Sequence, residues 1–399
     1  MNKTKLPELI PIDKKIQYGK QTIDQSDIDA VLSVMQENKF LTTGPKVTEF
    51  ENAVKEKINV KYAVAVNSGT AALHLALMAL NLQSTDEVIV TTMSFAASAN
   101  AILYCGAKPV FCDIQADTMN IDPLKIESLI TINTKAIIIV DFAGQPCDYH
   151  QIIPIVKKYN LILIEDAAHA FGCQISQCPK SPYIGSFADM TTFSFHPVKP
   201  ITTCEGGMIV TNNKVYHDSM KRNRTHGISI DYKIREKTGS HYYDMTSLGY
   251  NYRIPDLLCA LGISQLKKID EFTQKRRNIA NQYNIQFAKL KKWIIPLTQK
   301  YDSAYHIYII KLQLDQLTAT RDEIFKVLQF YGLGVNVHYK PIHLHSFYQD
   351  NFNTLKEQFP IAEKVYNQII TLPLFPSMKK SNIKDVINIV TKVILHYSI

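Results

Sequence analysis

Short β-branched runs alternate with helical stretches over the first two-thirds of the chain, and this pattern limits the fold more than any other feature. Strand-length apolar runs fall at 63–66, 87–91, 109–112, 136–140, 161–164, 190–194 and 208–211. Runs with little polar alternation need cover on both faces. They predict a mostly parallel seven-stranded sheet between two layers of helices, an α/β fold. Near Pro255 the pattern changes. Leu257, Leu258, Leu261, Leu266 and Ile269 recur at helical steps, so a helix is expected with Pro255 in its first turn. After Trp293 the expected order is a strand over 304–312, a helix over 322–331, a strand over 334–338 and a closing helix from Ile383. The 399 residues exceed the size at which single cores stop growing. Residues 1–254 are therefore expected to form an N-terminal arm and a large α/β domain, and residues 255–399 a bridging helix and a smaller C-terminal α+β domain.

Apolar residues at 46% and charged residues at 20% give the balance of an ordinary folded chain. No apolar run approaches the roughly 20 residues of a spanning helix, so no membrane association is expected. Met1-Asn2-Lys3-Thr4-Lys5-Leu6-Pro7-Glu8 has no apolar stretch behind its charges, and a cytoplasmic location without a signal peptide follows as an expectation. The seven cysteines, Cys105, Cys112, Cys147, Cys173, Cys178, Cys204 and Cys259, contain no CxxC pair and read as reduced thiols. The net charge of +8 is scattered in lysine pairs and not gathered on a recognition helix, which argues against a nucleic-acid partner. A phosphate-bearing substrate suits the same charge.

Three stretches carry chemistry. Val64 to Leu73 runs from a strand through Asn67-Ser68-Gly69-Thr70 into an apolar helix. Free N–H groups at such a junction suit a phosphate, although Ser-Gly-Thr is also an ordinary helix cap. In the second, Leu161-Ile162-Leu163-Ile164-Glu165-Asp166-Ala167-Ala168-His169 places two carboxylates at the end of an apolar strand, where open α/β sheets bind ligands. An acid there could pair with a ring nitrogen, a metal or a ribose hydroxyl, or cap the next turn. The third stretch runs from Met190 to Val210 and sets Lys199 between Pro197 and Pro200 in an apolar turn. A buried ammonium is costly, so Lys199 is a candidate amine of lowered pKa that forms an imine with a carbonyl.

Taken in order, these stretches resemble the fold-type I pyridoxal-phosphate enzymes of the DegT/DnrJ/EryC1/StrS sugar aminotransferase family. The resemblance spans nearly the whole chain. It rests on Asn67-Ser68-Gly69-Thr70-Ala71-Ala72, Thr92-Met93-Ser94-Phe95, Glu165-Asp166-Ala167-Ala168-His169, Ser194-Phe195-His196 through Lys199 to Glu205-Gly206-Gly207, and Gly249-Tyr250-Asn251-Tyr252-Arg253. Phe195 to Thr203 and Val337 to His343 are similar to the branch that aminates UDP-2-acetamido-2,6-dideoxy-β-L-arabino-hex-4-ulose at C4 in pseudaminic acid biosynthesis.

The resemblance implies a role for each matching residue. Lys199 would hold the aldehyde of pyridoxal 5'-phosphate and move a proton at the substrate carbon. Asp166 would keep the pyridine nitrogen protonated, so that the ring acts as an electron sink. His169 would lie against the ring, Phe95 would stack on its face, and Ser68, Gly69, Thr70 and Ser194 would hold the phosphate. Asn251 would reach in from a partner subunit, making a homodimer with shared active sites. Tyr18, Lys39, Phe40, Leu41, Thr42, Tyr252, Arg253, Val337, His338, Tyr339 and Lys340 would line the cleft for L-glutamate and a nucleotide-linked keto sugar. Cys204 departs from the Gly or Ala common before Glu-Gly-Gly in relatives, and its small side chain is expected to preserve the turn.

His338, His343 and His345 have a spacing that could ligate a metal, but no neighbouring cysteine or carboxylate completes a set, and no metal is expected. Two other classes fit less well. Dehydratases of the same family carry histidine where Lys199 stands, and a cofactor-bound regulator would bring a DNA-binding segment that the sequence lacks. The remaining alternative is amination of a different 4-keto or 3-keto sugar nucleotide.

Overall fold

The computed structural model describes residues 9–175, 182–229 and 237–399. Cys178 lies outside them. Seven strands form one sheet in the order β1-β7-β6-β5-β4-β2-β3: β1 (Tyr62–Val66), β2 (Glu87–Thr91), β3 (Lys108–Cys112), β4 (Thr134–Val140), β5 (Ile162–Asp166), β6 (Met190–Ser194) and β7 (Gly207–Thr211). The pairs from β3 through β2, β4 and β5 to β6 are parallel, whereas β7 runs antiparallel to both β6 and β1.

Side chains alternate across a strand, and the two sheet faces accordingly feed two separate cores. Ala63, Ile89, Ile137, Leu163, Phe193 and Val210 join one cluster. Val64, Val88, Ile138, Ile164, Met190 and Ile209 join the other. The second face is covered by α3 (Gly69–Met78) and α4 (Ala97–Tyr104). Residues 71–77 of α3 are all buried, which is why that helix is apolar almost all round. The first face receives α2 (Pro45–Ile58) and α5 (Tyr149–Lys158), with α1 (Gln25–Glu37) packed against the later helix Asp256–Leu266. Phe50 of α2 is fully buried there, and its truncation to Ala would cost about 3–5 kcal/mol.

After α6 (Lys214–Asn223), α7 (Asp256–Leu266) and α8 (Ile269–Phe287) carry the chain from one core to the next. Pro255 is the N-cap of α7 and not part of its first turn, and Ile269 begins a new helix after a break at Lys267-Lys268. Cys259, Leu266, Ile269 and Phe272 belong to the large-sheet cluster, whereas Ile279, Tyr283 and Phe287 belong to the C-terminal one. That second core contains a three-stranded antiparallel sheet, β10-β9-β8, built from β8 (Ile294–Pro296), β9 (Tyr308–Leu312) and β10 (Ile369–Leu372). Around it and after it come α9 (Arg321–Phe330), α10 (Ser346–Phe352), α11 (Pro360–Tyr366) and α12 (Lys380–His396).

Two expected strands also differ from the structure. The strand expected over 304–312 is β9 only, because Ala304 and His306 donate their N–H groups to the carbonyls of Gly144 and Ala143, beyond the end of β4. The strand expected over 334–338 instead forms the first part of an irregular strap that runs on to Pro341. It exchanges backbone hydrogen bonds with Thr371 at Asn336 alone, where the Asn336 side chain turns back to accept from Val337 N–H and breaks the ladder.

Candidate active site

The ends of β1, β5 and β6 bring the three chemical stretches together on one face of the sheet. At the end of β1, Ser68 caps α3 and its hydroxyl accepts from Ala71 N–H at 3.1 Å. The first-turn N–H groups of Gly69 and Thr70 have no acceptor within the helix, as at any helix start. A Cβ on Gly69 would come within 2.8 Å of Ser194 Cβ, and one on Gly207 would come within 2.5 Å of the Ser68 carbonyl oxygen. Both positions need glycine, and their closeness sets Ser194 beside the free N–H groups.

Parity along β5 separates its two acids. Asp166 shares the face of Ile164, whereas Glu165 points the other way and takes hydrogen bonds from Thr191 and Gly185 at 2.6 and 3.1 Å and another from Tyr149. Asp166 is buried. Its Oδ2 accepts from Ser98 Oγ at 2.7 Å and its Oδ1 from Ala168 N–H at 3.2 Å. Burial pushes its carboxyl above the usual carboxylate range, against the pull of Ser98, Ala168 and the nearby Lys199 charge.

Lys199 stands in the turn between β6 and β7, which Thr203 and Thr202 fasten by donating to the Phe195 carbonyl. The residue is half-buried. Burial lowers its amine to about 8, against the raising influence of Asp166. A substantial neutral fraction at neutral to mildly alkaline pH makes this amine a competent nucleophile toward a carbonyl.

His169 Nδ1 accepts from Ala143 N–H at 3.3 Å, and its Nε2 lies 3.0 Å from Tyr339 Oη. An accepting Nδ1 leaves the ring proton on Nε2, where it donates to the phenol oxygen, so that Tyr339 can offer its own O–H to another group. Burial, with Lys199 and His338 adding to it, holds His169 well below the usual histidine range and keeps the ring neutral. The His306 ring packs 4.4 Å away behind it.

The expected cleft residues are gathered unevenly. Tyr18 and His338 have ring centroids 5.2 Å apart, His338 bonds Thr371 Oγ1 at 2.9 Å, and Tyr339 links this wall to His169. Burial lowers His338 to about 3. Phe95, 62% exposed, faces Tyr339 at 6.1 Å between ring centroids, and Val337 and Lys340 flank that pair on the strap. The 249–253 segment reaches the phosphate turn through its backbone: Asn67 N–H donates to the Tyr252 carbonyl and Asn67 Nδ2 to that of Asn251. The Asn251 side chain is exposed, Arg253 is half-buried, and the Tyr252 hydroxyl meets His74 Nδ1 at 3.0 Å. Lys39, Phe40, Leu41 and Thr42 form an exposed connection fastened to the start of α7, where Leu41 accepts from Asp256 N–H and Thr42 pairs with Pro255. Their contacts run to α7 and not to the group around Lys199. His338 and His343 are held separately, by Thr371 and by Thr92 with Glu363.

Ser98, Ala143 and His306 complete the site and were not read from the sequence. Ser98 lies in an apolar helix start and His306 in a strand-like run, and neither carries a local signal for its contact.

The donor set fits pyridoxal phosphate: a depressed amine, a buried carboxylate for the ring nitrogen, a neutral histidine, and free N–H groups in a glycine-lined turn for the phosphate. Comparison with known proteins agrees. Residues 21–391 match the DegT/DnrJ/EryC1/StrS aminotransferase family. The chain is 42% identical over 375 residues to the UDP-4-amino-4,6-dideoxy-N-acetyl-beta-L-altrosamine transaminase of Campylobacter jejuni (strain NCTC 11168), covering 93% of this chain and 94% of that one. Helicobacter pylori PseC, an aminotransferase involved in the biosynthesis of pseudoaminic acid, superposes with a TM-score of 0.88 at 35% identity, covering 96% of this chain and 100% of that one. The sugar aminotransferase Spr1654 of Streptococcus pneumoniae, described as putative and solved in PMP and PLP forms, superposes with a TM-score of 0.88 in each. Its PMP form is 32% identical over 95% of this chain and 98% of that one, and its PLP form 31% over 96% and 100%. The chain belongs to the DegT/DnrJ/EryC1/StrS aminotransferase family and is a pyridoxal-phosphate-dependent sugar aminotransferase.

Proposed function

We propose that this enzyme moves an amino group from L-glutamate to C4 of a 4-keto-6-deoxy sugar nucleotide, with UDP-2-acetamido-2,6-dideoxy-β-L-arabino-hex-4-ulose as its acceptor. The observation that carries the transamination is the Lys199 amine, lowered to about 8 beside the buried Asp166. The acceptor is suggested by the 42% identity to the Campylobacter transaminase. When bound, the cofactor supplies an electron sink for the carbanion formed at the reacting carbon.

The protein's own groups do the rest. Lys199 Nζ would hold the cofactor's aldehyde and, once freed, would carry a proton between the substrate's reacting carbon and the cofactor's C4′. Asp166, fixed by Ser98 and Ala168, keeps the ring nitrogen protonated. His169 would pack against the ring or its oxygen, and its Nε2–H donates to Tyr339, which leaves the phenol O–H for another acceptor. Ser68, Gly69, Thr70 and Ser194 hold the phosphate, and Phe95 covers the ring face. Asn251 completes the phosphate site of a second subunit, which makes a homodimer the smallest active unit. Glutamate and the sugar pyrophosphate are both anionic and enter in turn, so Arg253 and Lys340 at the rim serve both, with Lys39, whose segment is fastened to α7, the more distant candidate.

The test is incubation of the purified enzyme with L-glutamate and a panel of 4-keto and 3-keto sugar nucleotides, following 2-oxoglutarate and the aminated product. Preferential amination of the UDP-linked N-acetylated 4-ketose is expected. A strong preference for any other ketose would replace the acceptor, and failure of glutamate to donate would replace the donor.

A further inference from the structure

We infer that Thr92, His343 and Glu363 form a buried clamp that holds the 337–341 strap in register with the Phe95 loop, and that His343 is thereby a positioning residue for the sugar-nucleotide half-reaction. This inference rests on the proposed function for its substrate, and on geometry for everything else.

His343 has no exposed surface, and both of its ring nitrogens are engaged. Nδ1 lies 2.5 Å from Thr92 Oγ1, and Nε2 lies 3.1 Å from Glu363 Oε1. Beside a carboxylate, Nε2 carries the proton and donates to Glu363, which leaves Nδ1 to accept from the Thr92 hydroxyl. The chain of hydrogen bonds is therefore directional, from Thr92 through His343 to Glu363. Burial lowers the His343 pKa despite Glu363, consistent with a neutral ring.

The three residues come from three separate segments. Thr92 follows β2 and stands three residues before Phe95, in the loop whose Ser94 hydroxyl meets Ser98, the residue bonded to Asp166. Glu363 belongs to α11 in the C-terminal part, and His343 follows the strap directly. A backbone bond from Ile342 N–H to the Thr92 carbonyl at 2.8 Å runs alongside the side-chain bond, and Thr354 Oγ1 donates to the His343 carbonyl at 2.7 Å. Four residues upstream of His343, Tyr339 bonds His169 and faces Phe95. The clamp thus joins the two walls between which a bulky acceptor must fit. Glutamate is small and places less demand on their spacing.

The experiment compares Thr92→Val, which keeps the shape and removes the hydroxyl, with Thr92→Ser, which restores it, and with His343→Gln, which can keep the Glu363 bond while losing Thr92. The first readout is hydrogen exchange of peptides covering 337–345 in the cofactor-loaded enzyme. The second is KM and kcat for the sugar nucleotide beside the rate of the glutamate half-reaction. Thr92→Val and His343→Gln are each expected to speed exchange in that strap and to raise the sugar-nucleotide KM about tenfold, the loss of one buried hydrogen bond, with kcat and the glutamate half-reaction within about twofold. The double variant should be no worse than either single one, because both remove the same contact. Thr92→Ser should restore both readouts. Wild-type exchange and KM in Thr92→Val would overturn the clamp, as would equal losses in both half-reactions or a serine variant no better than valine. If the wild-type enzyme aminates no sugar nucleotide, the functional reading fails, while the exchange comparison still decides the clamp.

Discussion

Ser98 Oγ donates a 2.7 Å hydrogen bond to Asp166 Oδ2 inside the sheet's helical cover, with both side chains buried. One hydroxyl and one backbone N–H are modest compensation for burying a carboxylate, and the Asp166 pKa is raised as a result. On the proposed mechanism, the cofactor's ring nitrogen is the cation that would compensate this acid.

Asp166→Asn follows from that imbalance in two ways. The neutral amide cannot keep the ring nitrogen protonated, so the glutamate half-reaction should slow by about a hundredfold or more. In the cofactor-free protein the same substitution should stabilise the fold. A carboxyl raised in the folded state loses stability as pH rises through its folded pKa, and asparagine escapes that loss. Melting curves of the apo proteins should show an advantage for Asp166→Asn at neutral pH that narrows as pH falls into the ordinary carboxylate range. A constant difference across that range would sink the account.

Lys199 makes cofactor uptake pH-dependent. Only the neutral amine attacks a carbonyl, and burial brings its pKa to about 8. The rate at which apo protein develops visible absorption on adding pyridoxal phosphate should rise with pH about a midpoint near 8. Lys199→Ala should develop none and turn over no substrate. A midpoint near the ordinary lysine value would show that the amine is solvated.

The exposed Asn251 side chain bears on subunit sharing. Its backbone is engaged locally by Asn67 and Thr225, and on the proposed mechanism the side chain would serve another subunit. Mixing inactive Lys199→Ala with a severely impaired Asn251→Ala should restore activity through hybrids that hold one intact site. Absence of recovery, with subunit exchange shown by a labelled chain, would place Asn251 in its own subunit's structure.

Lys340 is exposed on the strap next to Tyr339. Its replacement by Ala should raise the sugar-nucleotide KM about tenfold with a smaller change in kcat, the pattern of a charge-assisted contact made equally in ground and transition states. Steady-state kinetics with an unchanged KM would remove Lys340 from the cleft.

The strands could be read from the chain because all but the more open edge strand β3 are largely buried on both faces, and an apolar run is the direct signature of such burial. The strand-end turn at 67–70 and the apolar setting of Lys199 were legible for a related reason: each depends on a few consecutive residues at a strand end. The strap at 334–338 was misread as a strand because Asn336 and His338 spend their side-chain hydrogen bonds on Val337 and Thr371, contacts that no periodicity records. Of the adjacent acids Glu165 and Asp166, spacing alone could not choose, and the pleat of β5 turned one toward Tyr149 and the other toward Ser98.

The sequence by itself determined the order of elements, the sheet and the amine-bearing turn, because these follow from local pattern and from the cost of burying what cannot be solvated. Only the tertiary structure decided which groups meet. Tyr339 reaches His169 across 170 residues, His343 reaches Thr92 across 251, and Ser98 reaches Asp166 across 68. A hydrogen bond of 3 Å is set by where whole elements pack, and residues so far apart in the chain leave no shared pattern along it.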